Sequence, residues 1–223
     1  MNNIALQKSR LQFITNQWSP RPIEEQVQKA CEGGCGWVQL RLKDQDESQW
    51  LEVMRKIKPI CHAYGAFLII NDHVEMALKG GADGVHVGKE DICPMKARQI
   101  LGEHSIIGGT ANTIEDIRAL QGKKVDYIGL GPFRPTYTKQ PLSPVIGIDG
   151  YKKLLLQMRK EHNPLPVIAV GGIGPQDLPA LMETGIHGVA LSSAISNSPH
   201  PETATRHIIE SINREVQHVK NLG

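Results

Sequence analysis

A (β/α)8 barrel is the fold this sequence predicts, as a single α/β domain over residues 1–223. Three observations predict it. Eight short apolar runs recur from end to end; segments of helical spacing lie between them; and 223 residues shared among eight units gives about 28 per unit, a compact version of the barrel repeat. A doubly wound open sheet is the rival. It needs fewer strands and a Gly-rich turn after the first, whereas the first run here, Leu11 to Thr15, passes into Asn16-Gln17-Trp18.

Composition narrows the function classes. Lys plus Arg at 25 against Asp plus Glu at 23 leaves +2, far short of a nucleic-acid footprint. Hydrophobic residues at 40% and charged residues at 22% describe a globular chain, and no apolar run approaches the ~18 residues of a membrane span. Met1 to Arg10 shows no export signal, so a cytoplasmic location is expected. Cys31, Cys35, Cys61 and Cys93 make no Cys-x-x-Cys pair and read as reduced thiols. Small-molecule substrates are the expected partners, without nucleic acid or membrane; a homo-oligomer stays open.

The second run, Trp37 to Lys43, is the most informative. At the two-residue period of a strand, Val38, Leu40 and Leu42 form one face and Gln39, Arg41 and Lys43 the other. A parallel barrel strand is covered on both sides, so the polar set should climb the interior toward the mouth, where a polyanionic ligand would offset its burial. Trp50, Met54, Ile57 and Ile60 then give a helical stripe. The third run, Phe67 to Asp72, ends in Asn71-Asp72. The fourth, Gly84 to Gly88, carries His86, expected inward as a hydrogen-bonded core residue, and leads into Lys89-Glu90-Asp91. Asp72 and Asp91 suit Mg2+, which takes one or two carboxylates alongside substrate phosphates; Glu90 can replace Asp91 in that role.

The fifth run is Ser105 to Thr110 and the sixth Tyr127 to Gly131. After the sixth comes Pro132-Phe133-Arg134-Pro135-Thr136-Tyr137-Thr138-Lys139, in which Thr136 and Thr138 can donate to phosphate oxygens and Lys139 adds a point charge. Tyr151, Leu154, Leu155 and Met158 mark the next helix. The seventh run, Val167 to Gly171, continues into Gly172-Ile173-Gly174; the eighth, Gly188 to Ser192, continues into Ser193-Ala194-Ile195. Glycines and helix starts after strands seven and eight are where many barrels hold a phosphate; plain tight turns are the other reading of these stretches. Gly33-Gly34, Gly80-Gly81, Gly102, Gly122 and Gly185 sit where left-handed helix caps are wanted. No zinc-protease, nucleophile-elbow or P-loop motif is present.

The ordered set Gln-x-Arg-x-Lys, Asn-Asp, a second Asp, Thr-x-Thr-Lys and Gly-Gly-Ile resembles the thiamine-phosphate synthase family, at matching strand ends along nearly the whole chain. The resemblance implies a transferase that joins hydroxymethylpyrimidine diphosphate to thiazole phosphate and releases pyrophosphate. It places Gln39, Arg41, Lys43, Asn71 and Lys139 around the pyrimidine diphosphate, Thr110 on the pyrimidine, and Asp72 and Asp91 on Mg2+. It assigns Thr136, Thr138, Gly172, Ser192 and Ser193 to the thiazole phosphate. Arg41, Lys43 and Lys139 would then meet the charge growing on departing pyrophosphate, with Thr110 beside the reacting ring and no general base required. Three positions depart from the family pattern: Lys89 where Gln is more usual, Thr110 for Ser, and Asn112 where His is frequent. Lys89 either weakens Mg2+ or helps hold diphosphate. The rivals are a thiazole tautomerase of the sister family, which needs an acid-base residue where Asn112 stands, and a non-catalytic phosphate-binding barrel.

Overall fold

The computed structural model describes residues 9–135 and 144–222. Eight parallel strands close in sequential order: β1 (Leu11–Ile14), β2 (Trp37–Leu40), β3 (Phe67–Asn71), β4 (Gly84–Val87), β5 (Ile106–Ala111), β6 (Tyr127–Leu130), β7 (Val167–Val170) and β8 (Gly188–Leu191), with β8 paired back onto β1. Between them run α1 (Ile23–Glu32), α2 (Glu47–Ala63), α3 (Val74–Gly80), α4 (Pro94–Leu101), α5 (Ile114–Gln121), α6 (Gly147–Lys160) and α7 (Leu178–Glu183). After β8 come the one-turn α8 (Ser193–Ser196) and the long α9 (Pro201–Leu222).

Alternation sorts each strand's side chains into two cores. Trp37, Ile69, Ile106, Tyr127, Ile168 and Ala190 fill the barrel's interior. Val38, Leu40, Leu68, Ile70, Val85, Ile107, Ile128 and Leu191 face outward onto apolar helix stripes such as Trp50, Met54 and Ile57 of α2. Both faces are covered, so most positions on these strands are apolar. Two helices start with reciprocal caps: Asp46 with Gln49 on α2, and Thr113 with Asp116 on α5.

At the N-terminal rim, carboxylates stitch neighbouring strands. Asp83, just before β4, accepts from Leu68 N–H at 2.7 Å, and Asp126, just before β6, accepts from Ile107 N–H at 2.7 Å. Arg98, only 5% exposed, donates to Asp126 at 2.6 Å. These acids are therefore committed to structure at the end opposite the candidate site.

Two local expectations change. The second strand stops at Leu40 rather than Lys43, because β1 also ends and side chains replace its ladder: Arg41 N–H donates to Thr15 Oγ1 at 2.9 Å, and Lys43 N–H to Gln17 Oε1. Gly122 is right-handed at φ −85°; the left-handed residue of that turn is Lys124, at φ 54°. Gly34, Gly81, Gly102 and Gly185 do take positive φ.

Candidate active site

The C-terminal rim from β2 to β4 gathers the first cluster. Gln39 lies inside the barrel, 3% exposed, and its Nε2 donates to Asn71 Oδ1 across the β2–β3 seam at 2.7 Å. Arg41 and Lys43 follow beyond the strand end and are half-buried. Burial pulls the Arg41 pKa below its ordinary value, while the carboxylate of Asp72 acts in the opposite direction. The Arg41 guanidinium carbon also lies 5.9 Å from the ring centroid of Trp18, an indole 58% exposed on the loop after β1.

Asp72 immediately follows β3 in a left-handed conformation, φ 66°, with its N–H bonded to the carbonyl of His86 at 2.8 Å. Asp91 is exposed in the turn after β4, and its Oδ2 accepts from Gly88 N–H at 2.6 Å. β3 and β4 pair with Asn71 opposite His86, so these carboxylates come from neighbouring strand ends. Among the described residues no group of three or more His, Cys, Asp or Glu side chains is arranged to hold a metal. Two hard oxygen donors fit an ion such as Mg2+ that completes its shell with water and phosphate. Lys89, next door, is drawn away to Asp116 at 3.0 Å. Burial pushes the Asp116 carboxyl up, but the Asn112 N–H and Lys89 together hold it below the usual range.

Deeper inside, Thr110 of β5 sits 2.9 Å from His86 Nε2, and His86 Nδ1 sits 3.0 Å from the hydroxyl of Tyr127. Gln12 Nε2 reaches the same hydroxyl at 3.2 Å. His86 is thus an inward, hydrogen-bonded residue, as expected, but it touches a candidate site residue. Asn112, at the end of this strand, ties its side-chain amide to the carbonyl of Gly131.

Thr136, Thr138 and Lys139 lie outside the described residues. Phe133 and Arg134 N–H groups donate to the carbonyls of Val170 and Gly171 at 2.9 and 3.0 Å, extending the β6–β7 seam. Arg134 then grips Asp177 with both terminal nitrogens, at 2.5 and 2.6 Å, and Asp177 also accepts from Gly174 N–H at 2.8 Å. Gly172 adopts φ 68° and packs so closely that a Cβ would lie 2.9 Å from Arg134 Cβ, which requires glycine. Ser192 precedes α8 and Ser193 opens it, just after β8, the strand next to β7. The structure therefore groups Gln39, Arg41, Lys43, Asn71 and Asp72 on one side and Gly172, Ser192 and Ser193 on the other, with Thr110 on a strand between. Sequence reasoning missed Thr15, Gln17, Arg134 and Asp177, whose partners lie on other loops; a Pro-flanked Arg after β6 was the one available hint for the clamp.

A family model described as thiamine monophosphate synthase matches residues 11–195. The chain belongs to that family. It is 49% identical over 199 residues to a thiamine-phosphate synthase of Bacteroides fragilis, covering 89% of this chain and 98% of the relative. It is 43% identical to a thiamine-phosphate synthase of Flavobacterium johnsoniae, covering 92% and 96%. A solved thiamine phosphate pyrophosphorylase from Pyrococcus furiosus superposes with a TM-score of 0.85 at 29% identity, covering 95% of this chain and 98% of that one. The family match runs from β1 into α8 and so spans both groups of rim residues.

Proposed function

We propose that this chain, a thiamine-phosphate synthase by family and a transferase of thiamine biosynthesis, couples hydroxymethylpyrimidine diphosphate to thiazole phosphate, releases pyrophosphate, and does so in the cytoplasm. The observation that carries the reading is the β2–β3 rim: a buried Gln39 bonded to a half-buried Asn71, beneath a half-buried Arg41 held beside Asp72. Such an assembly is costly to desolvate without an anion, and a diphosphate supplies one.

On this reading Arg41 and Lys43 grip the diphosphate, joined by Lys139 from the loop after β6. Gln39 and Asn71 fix the pyrimidine end, and the Thr110 hydroxyl contacts the ring. Mg2+, when held by Asp72 and Asp91, supplies further neutralisation of the diphosphate oxygens. Arg41 and Lys43 are in place before the C–O bond breaks, so the charge that develops on the leaving group meets preorganised partners. Gly172, Ser192 and Ser193, with Thr136 and Thr138, hold the thiazole phosphate so that its ring nitrogen faces the departing group. Asn112, spent on the Gly131 carbonyl, offers no acid-base group, which accords with a substitution needing none.

The test is pyrophosphate release by the purified protein with both substrates and Mg2+, and with each component omitted in turn. Release that requires all three is expected; binding of both substrates with no release under any metal condition would overturn the proposal.

A further inference from the structure

Four side chains from four strands form a single line of hydrogen bonds across the barrel's interior: Gln12 of β1, Tyr127 of β6, His86 of β4 and Thr110 of β5. The barrel is shaped around them. A Cβ on Gly108 would fall 2.2 Å from the Tyr127 ring and 2.5 Å from His86 Nδ1, and one on Gly129 would fall 2.7 Å from His86 Cε1. Two strand glycines thus provide the space the imidazole occupies.

Donor and acceptor counts allow one continuous direction along the line. The Tyr127 hydroxyl accepts from the Gln12 amide nitrogen, which leaves its own proton available to His86 Nδ1, 3.0 Å away. Burial pushes the Tyr127 pKa up, so that proton stays on the phenol. A neutral imidazole accepting at Nδ1 carries its hydrogen on Nε2, and Nε2 then donates to Thr110 Oγ1. Thr110 has accepted a hydrogen bond and keeps its own proton to give.

We propose that His86 is a positioning residue for the transfer: fixed as the Nε2–H tautomer by Tyr127 and Gln12, it presents the Thr110 hydroxyl as a donor to a ring nitrogen of the pyrimidine substrate. The inference rests on Thr110 meeting the pyrimidine, as set out above. With the opposite tautomer the hydroxyl proton would be turned back onto His86, and Thr110 would have only lone pairs to offer.

The tautomer is read first, on the full-length protein without substrate, by long-range 15N–1H correlation of the His86 ring, assigned by loss of its signals in His86→Gln. A dominant Nε2–H form is expected, and Tyr127→Phe should shift it toward a mixture; a dominant Nδ1–H form in the native protein overturns the proposal. Kinetics follow. His86→Gln keeps an N–H near the place of Nε2 and should hold kcat within about tenfold, whereas His86→Leu should lose ~10- to 100-fold in kcat with the KM for thiazole phosphate unchanged. Equal losses in both variants would overturn the proposal, and thermal melts of each confirm folding. Should His86→Leu fail to fold, the native tautomer and the Tyr127→Phe shift still decide. A native protein that shows the Nε2–H form but releases no pyrophosphate would overturn the proposed function instead.

Discussion

Arg41 is held by three kinds of contact at once: its N–H on Thr15, its guanidinium carbon 5.9 Å from the Trp18 ring centroid, and the field of Asp72. Removing a fixed cation from a developing charge typically costs two to three orders of magnitude, so Arg41→Ala should lower turnover by ~100-fold or more while leaving the melting temperature nearly unchanged. Arg41→Lys should recover little of it, because an ammonium lacks the planar fork and stacks poorly on the indole. Asp72→Asn probes the metal role, with Arg41 losing its neighbouring charge as well. Asn tolerates the left-handed φ of 66° that Asp72 adopts, so the backbone persists while a charged ligand is lost. The Mg2+ concentration for half-maximal pyrophosphate release should rise at least about tenfold, and an unchanged metal titration would take Asp72 out of the site. Arg41 was legible in the sequence because a strand's period of two sets it on the Gln39 face. Thr15 and Gln17 were not, since nothing in their own stretch says that their side chains continue a ladder begun by β1 and β2.

At the scale of elements, the Arg134–Asp177 clamp ties the loop after β6 to the turn before α7 and so sets the frame in which Gly172 sits. Burial pushes the Asp177 carboxyl up, yet the hydrogen bonds from Arg134 and the Gly174 N–H leave it below the usual value. The linkage has a definite sign. A depressed folded-state pKa gives stabilisation that is present above the ordinary Asp value and lost as pH falls through the lower, folded value. Asp177→Asn should therefore flatten the loss of thermal stability below about pH 4, as followed by melting temperature against pH. It should also raise the KM for thiazole phosphate several-fold with less effect on the pyrimidine diphosphate, because the proposed function puts Gly172 on the thiazole side. Strand-end motifs pointed to loops that the fold places along one rim, whereas the clamp joins residues 43 positions apart in sequence and only closure of the barrel brings them together.

For the whole molecule, the near-exhaustive burial of eight short strands made the architecture readable: apolar runs bounded by glycine leave few alternatives to a closed parallel barrel. What sequence could not convey is how tightly the staves approach. A Cβ on Gly84 would lie 2.0 Å from the carbonyl oxygen of Ile106, and one on Gly188 would lie 2.1 Å from that of Arg10, at the seam where β8 meets β1. Gly84→Ala or Gly188→Ala must therefore push backbone apart, at about 3 kcal/mol each, lowering the melting temperature by roughly 6–12 °C in a calorimetric scan. Enclosure also sorts the three tryptophans. Trp37 and Trp50 are sealed within the cores, and Trp18 stands in solvent beside Arg41. Their emission should separate accordingly, into a blue component out of reach of iodide and a red one open to it. An anion that draws the guanidinium off the indole would change the red component alone, so the rim carries its own optical gauge of ligand arrival, readable without a label.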